Sequence, residues 1–401
     1  VGETVAASIA DVRARGDAAL IELTRKFDGL ELTPQTMRFS AQEIDTAYGA
    51  VSPQIRDALT LAHKRITAHH EKQKPTDHIY TDDIGVTLGS RWTAVEAAGL
   101  YVPGGLASYP SSVLMNAIPA KVAGVERLAM VVPTPNGVVN PAILAAARIA
   151  GVTEIYRVGG AQAIAALAFG TETIAPVAKI TGPGNAYVAA AKRQVFGTVG
   201  IDMIAGPSEV LIIADGSANP AWVAADLLAQ AEHGAGAQSI LLTTDEQLAK
   251  AVLAEVERQL ATLRAPDNAR QGWEEFGAII TVASLEQAMP LANRIASEHV
   301  ELALDDPQPW IGKIRNAGAI FVGHHTPESI GDYVGGSNHV LPTARSARFA
   351  SGLGVLDFVK RTSILGCTPQ ALAELADATV TLAETEGLQA HGKSVSIRLN
   401  R

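Results

Sequence analysis

Two neighbouring stretches of the chain determine its fold class: EIYRVGGAQAIAALAFG (residues 154–170) and AKITGPGNAYVAAAKRQVFG (residues 178–197). Each starts with a short apolar run typical of a buried strand, turns through glycines, and continues as an alanine-rich helix. Strand, turn and helix in succession form a βα unit, and consecutive units build a parallel sheet with helices on both faces. The sequence therefore predicts an α/β protein.

The same alternation extends to both sides of these stretches. Upstream, RLAMVVP is a predicted strand, and Asn140-Pro141 starts the helix that follows it. Downstream, EVLIIAD leads to Asn219-Pro220 and another helix, and the further predicted strands are SILLTT, GAIITVA, ELALDD and GAIFVG. We expect two similar Rossmann-like parallel-sheet domains that meet near residues 205–210.

The two ends of the chain differ from this pattern. Residues 1–75 have helical patterns, with a capping box at Ser40 and Glu43, whereas residues 84–102 alternate like strands and lead into the glycine turn at 101–105. After residue 345 the periodicity weakens, although PQALAELADAT is helical. The expected organisation is a helical segment at 1–83, α/β domains at 84–207 and 208–344, and an extended helical tail at 345–401 that leaves the globule.

Composition limits the class of partner. The chain has 401 residues, 32 Lys and Arg against 41 Asp and Glu, and a net charge of -9, which argues against nucleic acid as a partner. It has no run of 18 apolar residues, so we expect no membrane span. Its one cysteine, Cys367, excludes an internal disulfide, and no secretory signal pattern is recognisable, so we expect a cytoplasmic protein.

Four side chains in the C-terminal half are candidate metal ligands. Gln230, His233, Asp332 and His391 combine imidazoles, a carboxylate and an amide, a set that suits a borderline divalent metal. Gln230 and His233 are three residues apart on a predicted helix and so share a face. The alternative is a polar helix face, because glutamine is an uncommon zinc ligand, with His391 simply solvated in the tail.

Glu298 and His299 in ASEHVEL are candidates for acid–base catalysis. They lie between a predicted helix and a strand, where reactive side chains gather at a sheet edge. The alternative is a surface helix end that carries a favourable cation.

Other motifs carry weaker signals. The turn at Gly182-Pro183-Gly184-Asn185 could receive dinucleotide phosphates at a helix N-terminus, but it lacks the full G-x-G-x-x-G fingerprint and is also compatible with a tight βα turn. His339 follows a glycine turn that would let the backbone approach a ligand, or lies in a solvated loop. Cys367 could be a nucleophile in a thioester mechanism, although a lone cysteine is more often inert.

Eight ordered blocks spread over nearly the whole chain resemble the histidinol dehydrogenase family. They are GLYVPGGLASYPSSVLMNAIPAKVAGV, KITGPGNAYVAAAKRQVFG, GIDMIAGPSEVLIIAD, LLAQAEHGAGAQSILLT, NRIASEHVELAL, GDYVGGSNHVLPT, SGLGVLDFVKRTSI and EGLQAHGKSV. The resemblance implies an NAD-dependent, zinc-containing enzyme of the last steps of histidine biosynthesis. Such an enzyme oxidises L-histidinol to L-histidinal and then to L-histidine, with two NAD consumed.

The resemblance also implies roles for individual residues. The family's zinc ligands, one ion per subunit, fall on Gln230, His233, Asp332 and His391. Its catalytic bases fall on Glu298 and His299. Its NAD contacts fall on Tyr101, Gln162 and Asn185. Its substrate contacts fall on Ser208, Gln230, His233, His299, Asp332, His339, Glu386 and His391.

In this family the tail reaches the partner subunit, so the resemblance implies a homodimer with shared sites. A neutral His299 suits removal of the alcohol proton, Glu298 suits activation of the water that hydrates the aldehyde, and Glu386 could pair with the substrate ammonium. The alternatives are a dehydrogenase of the same fold for another small polyol, a zinc hydrolase in which Glu298 activates water, and a non-catalytic binding protein.

Overall fold

The computed structural model describes residues 1–104 and 109–400, so Gly105 of the predicted glycine turn lies outside the described residues. The predicted helical start is confirmed. Its helices are α1 (Gly2–Arg15), α2 (Asp17–Asp28), α3 (Ala41–Ala50) and α4 (Pro53–Glu71), followed by strands β1 (His78–Thr81) and β2 (Val86–Ala94). The capping box at the start of α3 is formed, because the Ser40 hydroxyl accepts from the Glu43 amide and the Glu43 carboxylate accepts from the Ser40 amide.

The first parallel sheet has five strands in the order β5-β4-β3-β6-β7. The strands are β3 (Ala97–Tyr101), β4 (Arg127–Val131), β5 (Glu154–Tyr156), β6 (Lys179–Thr181) and β7 (Gly200–Ile201). The helices between them are α5 (Pro110–Ala123), α6 (Pro141–Ile149), α7 (Gly160–Phe169) and α8 (Ala186–Val195). Every residue of β3 is buried, as expected for a central strand covered by helices on both faces.

The second parallel sheet also has five strands, in the order β10-β9-β8-β11-β12. The strands are β8 (Glu209–Ala214), β9 (Gln238–Thr243), β10 (Gly277–Thr281), β11 (His299–Ala303) and β12 (Ala319–Val322). The helices are α9 (Pro220–Ala231), α10 (Glu246–Leu260), α11 (Pro266–Phe276), α12 (Leu285–Ile295), α13 (Gln308–Ile311) and α14 (Glu328–Tyr333). The strand order repeats that of the first sheet, which confirms two similar Rossmann-like domains.

A smaller unit is built from two distant segments, Lys74–Val95 and Val359–Arg401, while Val1–Gln73 and Glu96–Phe358 form the larger unit. The smaller unit contains β13 (Val359–Cys367), α15 (Pro369–Thr385) and α16 (Gln389–Ser396). Strand β13 pairs antiparallel with β2 over its whole length, and β1 pairs with the other edge of β2. Strand β2, which the sequence groups with the first α/β domain, therefore lies in a separate three-stranded sheet.

The N-terminal helix α1 packs against α7 and α8 of the first α/β domain. Its buried face carries Val5, Ile9 and Val12, which join the apolar core around β3 and α7. This helix is therefore part of the domain that it precedes. In the described part of the chain, no helix is both long enough and apolar enough to cross a membrane.

Candidate active site

The reversal of strand order in the first sheet creates a crevice. Strand β3 has β4 on one side and β6 on the other, so the chain switches direction outside the carboxyl ends of β3 and β6. Ligands of doubly wound sheets bind at such switch points. Tyr101 ends β3, Asn185 directly precedes α8 at the end of the turn after β6, and Gln162 lies in the first turn of α7. The three predicted NAD contacts line one cavity of about 500 Å³, together with Thr4, Val5 and Ser8 of α1.

The glycine turn after β6 is held against β3. Gly182 has φ +113°, and a Cβ atom there would clash with the carbonyl oxygen of Tyr101, so only glycine lets the two strand ends approach. Lys192 and Asp202 form a buried ion pair, and both bind Gly182. Lys192 Nζ donates to the Gly182 carbonyl oxygen at 3.0 Å, and the Gly182 amide donates to Asp202 Oδ2 at 2.8 Å. The Asn185 side chain caps α8 by accepting from the amides of the first turn.

The predicted catalytic pair lies at the amino end of the second sheet. Glu298 directly precedes β11 and His299 is its first residue, and each is only 5% exposed. The Glu298 carboxylate accepts from the Glu209 amide at 3.0 Å, and the Glu298 amide donates to the Glu209 carboxylate at 3.3 Å. His299 Nδ1 donates to the Glu209 carbonyl oxygen at 3.0 Å, so Nδ1 carries the proton of the neutral ring and Nε2 is its basic atom.

The surroundings raise the pKa values of both Glu298 and His299, for different reasons. Burial raises the pKa of Glu298 to about 7. Burial alone would lower the pKa of His299, but the neighbouring carboxylates of Asp332, Glu298 and Glu328 raise it to about 10. The expectation of a neutral His299 therefore does not hold for these side chains alone. Engaging Asp332 as a metal ligand would remove part of the negative charge and lower the pKa of His299 toward the range of a general base.

The candidate metal ligands occupy two units. Gln230 is fully buried in the last turn of α9, and Asp332 lies in α14 with Oδ1 at 3.7 Å from His299 Nε2. The sequence predicted that His233 and Gln230 share a helix, and this is wrong. Helix α9 ends at Ala231, and His233 follows in a turn because the chain must reverse toward β9. His391 lies in α16 of the smaller unit, where it is exposed.

These residues have the chemistry that a metal site requires. Across residues 1–104 and 109–400, neither the Oε1 nor the Nε2 atom of buried Gln230 has a hydrogen-bond partner. Protein packed around the His233 imidazole lowers its pKa. Burial would raise the pKa of Asp332, but the neighbouring His299 imidazole outweighs burial and lowers it. A neutral imidazole, a carboxylate and an unpaired buried amide oxygen therefore fit a divalent cation. No group of three His, Cys, Asp or Glu side chains among the described residues is arranged to hold a metal.

The predicted substrate contacts, like the candidate metal ligands, belong to both the larger and the smaller unit. Ser208 directly precedes β8, whose first residue is Glu209. His339 is held by two contacts, from Nδ1 to the Asp332 carbonyl oxygen at 2.9 Å and from Nε2 to Ser112 Oγ of α5 at 3.1 Å. Since α5 follows β3, this contact links the first α/β domain to the site on the second. Glu386 directly follows α15 in the smaller unit and is exposed.

Sequence reasoning missed two residues that shape this site. Glu209 contacts both catalytic residues, and Glu328 is buried with Oε2 at 3.4 Å from His299 Nδ1. For Glu209, the sequence signal was a carboxylate at the start of the strand EVLIIAD, which is unusual in an otherwise apolar run. Cys367, which the sequence analysis considered as a nucleophile, is an exposed free thiol at the end of β13.

Comparison with known proteins points to one family. The family model for histidinol dehydrogenase matches residues 1–399. The histidinol dehydrogenase of Agrobacterium fabrum is 70% identical over 400 residues, covering 100% of this chain and 93% of that protein. That of Rhizobium meliloti is 66% identical over 400 residues, covering 100% and 92%. The crystal structure of histidinol dehydrogenase from Elizabethkingia anophelis matches with a TM-score of 0.96 and 42% identity, covering 99% of this chain and 92% of that chain. The chain belongs to the histidinol dehydrogenase family.

Proposed function

We propose that this protein catalyses the NAD-dependent, four-electron oxidation of L-histidinol to L-histidine through L-histidinal, the last steps of histidine biosynthesis. The observation that carries the proposal is the buried pair Glu298 and His299, fixed side by side at a sheet edge beside Asp332. Two adjacent bases suit a reaction with two different proton transfers. The dinucleotide crevice belongs to the same unit.

The two bases would serve successive steps. His299 Nε2 takes the hydroxyl proton of the alcohol, since Nδ1 is engaged with the Glu209 carbonyl oxygen. Glu298, whose burial raises its pKa to about 7, takes a proton from the water that hydrates the aldehyde. Retention of the aldehyde between these steps keeps a reactive intermediate away from solvent.

Two cofactors complete the site in this proposal. Gln230, His233, Asp332 and His391 hold one zinc ion per subunit, which when bound orients the imidazole and amine of the substrate. Tyr101, Gln162 and Asn185 hold NAD, which when bound accepts a hydride in each oxidation. The remaining substrate contacts are Ser208, His339 and Glu386, with the Glu386 carboxylate facing the substrate ammonium.

We further propose a homodimer in which residues 345–401 complete the partner's site, in a cytoplasmic protein with no nucleic-acid or membrane partner. His391 and Glu386 belong to the smaller unit, whereas all the other proposed site residues belong to the larger one. The smaller unit exposes Ile79, Leu365 and Leu382, apolar side chains that a partner would cover. A closed two-fold dimer would exchange the tails symmetrically.

Complementation tests the shared site. His391→Ala and His233→Ala should each abolish activity as pure proteins. If sites are shared, a mixed dimer has one site with both defects and one intact site, so mixing should restore activity toward half per mixed dimer. No recovery after verified subunit exchange would assign His391 to its own chain.

Stoichiometry tests the reaction itself. We expect two NADH per L-histidinol and no free aldehyde. One NADH per substrate, or bulk trapping of the aldehyde by an added hydrazine, would contradict the two-step proposal. Absence of NADH together with zinc-dependent ester or amide hydrolysis would favour a zinc hydrolase.

A further inference from the structure

Glu209 contacts both proposed bases with three separate groups. Its amide donates to the Glu298 carboxylate at 3.0 Å, and its own carboxylate accepts from the Glu298 amide at 3.3 Å. Its carbonyl oxygen accepts from His299 Nδ1 at 3.0 Å. One residue at the start of β8 thus fixes the backbone of the first base, its carboxylate, and the ring orientation of the second.

The carboxylate of Glu209 also extends the sheet beyond its regular ladder. The pairing of β11 with β8 begins at His299 opposite Val210, so the Glu298 amide has no place in that ladder. The Glu209 side chain supplies the acceptor that the strand cannot. A buried amide without an acceptor would be unfavourable, so this bond stabilises the position of the residue just before His299.

The same carboxylate reaches a third segment. Its Oε1 atom accepts from the Ala344 amide at 3.1 Å, where Ala344 and Arg345 have φ of 51° and 64°. L residues rarely adopt these left-handed conformations, and they persist only where the surroundings impose them. The two carboxylate oxygens of Glu209 therefore hold together the entry to β11 and the loop at residues 344–345.

We propose that Glu209 is a positioning residue for both half-reactions, which holds Glu298 and His299 in the geometry that proton transfer requires. The proposal rests on the proposed roles of those two bases. Because each base serves a different step, loss of the Glu209 side chain should slow both oxidations together. Misplacement of catalytic groups by about 1 Å costs on the order of 10²-fold in rate.

Glu209→Ala tests the proposal, with Asp245→Ala as the matched control. Asp245 also presents a carboxylate that accepts two backbone amides, those of Gln247 at 2.7 Å and Leu248 at 3.0 Å. It caps α10 in the same α/β domain, at the carboxyl end of β9, whereas Glu209 lies at the amino end of β8. Both substitutions leave two amides without their carboxylate, but only one does so beside the bases.

We expect both variants to unfold at lower temperature and to keep their zinc content and KM for NAD. Only Glu209→Ala should lower kcat, by about 10²-fold, with L-histidinol and with supplied L-histidinal alike. Glu209→Gln should lose about tenfold, since its amide oxygen still accepts one of the two N–H groups; if the alanine variant does not fold, this variant decides. Losses no larger than those of Asp245→Ala, or a loss confined to one half-reaction, would overturn the proposal.

A second readout does not require turnover. In the wild-type protein the Glu209 carboxylate should protect the Glu298 and Ala344 amides from hydrogen exchange, and Glu209→Ala should remove that protection. If the wild-type protein oxidises no histidinol, the proposed function fails while this exchange measurement still tests the contact. Unchanged exchange in Glu209→Ala would reject the positioning role even in an active enzyme.

Discussion

Breaking the buried ion pair between Lys192 and Asp202 should impair NAD binding and stability together. The two side chains are only 3% and 1% exposed, and both bind Gly182, the residue that closes β6 against Tyr101. Lys192→Met would leave the Asp202 carboxylate buried without its cation and release the Gly182 carbonyl oxygen. The perturbation therefore acts on the turn that lines the dinucleotide crevice.

The expected magnitude follows from burial. Removal of one partner of a buried pair costs about 3–5 kcal/mol, because the other charge stays desolvated. The larger unit has roughly 340 residues. With an unfolding entropy of about 2.1 cal/mol/K per residue, its unfolding midpoint should fall by about 4–7 °C. Displacement of the turn should raise the KM for NAD about tenfold, which corresponds to about 1.4 kcal/mol, about one hydrogen bond to a charged group.

The assay combines thermal unfolding with steady-state kinetics against NAD and L-histidinol. Lys179→Met is the control, because Lys179 also pairs with an aspartate, Asp357, but that pair is 17% and 28% exposed and does not line the cavity. The double variant Lys192→Met with Asp202→Asn should recover part of the stability, since no lone charge remains buried. An unfolding midpoint and NAD KM of Lys192→Met within error of those of the control would refute the reasoning.

Three further perturbations test the site and its surroundings. His299→Asn should slow alcohol oxidation by about 10²–10⁴-fold, the range for loss of a general base, as measured by stopped-flow NADH formation. Glu298→Gln should slow oxidation of supplied L-histidinal more than that of L-histidinol, and equal losses would assign Glu298 an orienting role. Burial raises the pKa of Asp226 to about 6, above its value of about 3.9 in an unfolded chain. The folded state therefore binds more protons, so the contribution of Asp226 to stability is lost as pH rises from about 4 to 6. Asp226→Asn should weaken the decline in stability over that range, and an unchanged pH profile in denaturant unfolding would show that Asp226 does not titrate there.

Local sequence determined the repeated βα architecture. Apolar strands followed by Asn140-Pro141 and Asn219-Pro220 predicted helix starts that the structure confirms, because each asparagine caps its own helix. The turn that ends in Asn185 was placed correctly for the same reason. Such signals act between residues a few positions apart, so they can be recognised without knowledge of the rest of the fold.

The sequence also indicated which residue types form the site, but not how the fold places them relative to each other. Residue types and their order in eight blocks pointed to the family. The fold places Asp332 near His299, but the roles of these residues stay predictions. The end of α9 before His233 was missed, because helix length there is set by the reversal toward β9 and not by propensity.

Only the tertiary structure decided which distant segments meet. The pairing of β2 with β13 joins residues 86–94 to 359–367, and no local pattern encodes such a partner. The contacts of Glu209 with residues 298, 299 and 344 depend on strand register, which is fixed when two strands pack and not by either strand alone. The pKa of His299 likewise depends on carboxylates of Glu298, Glu328 and Asp332 that the fold gathers around one ring. Residue identity is a property of the sequence, whereas desolvation and hydrogen-bond geometry exist only after the chain has packed.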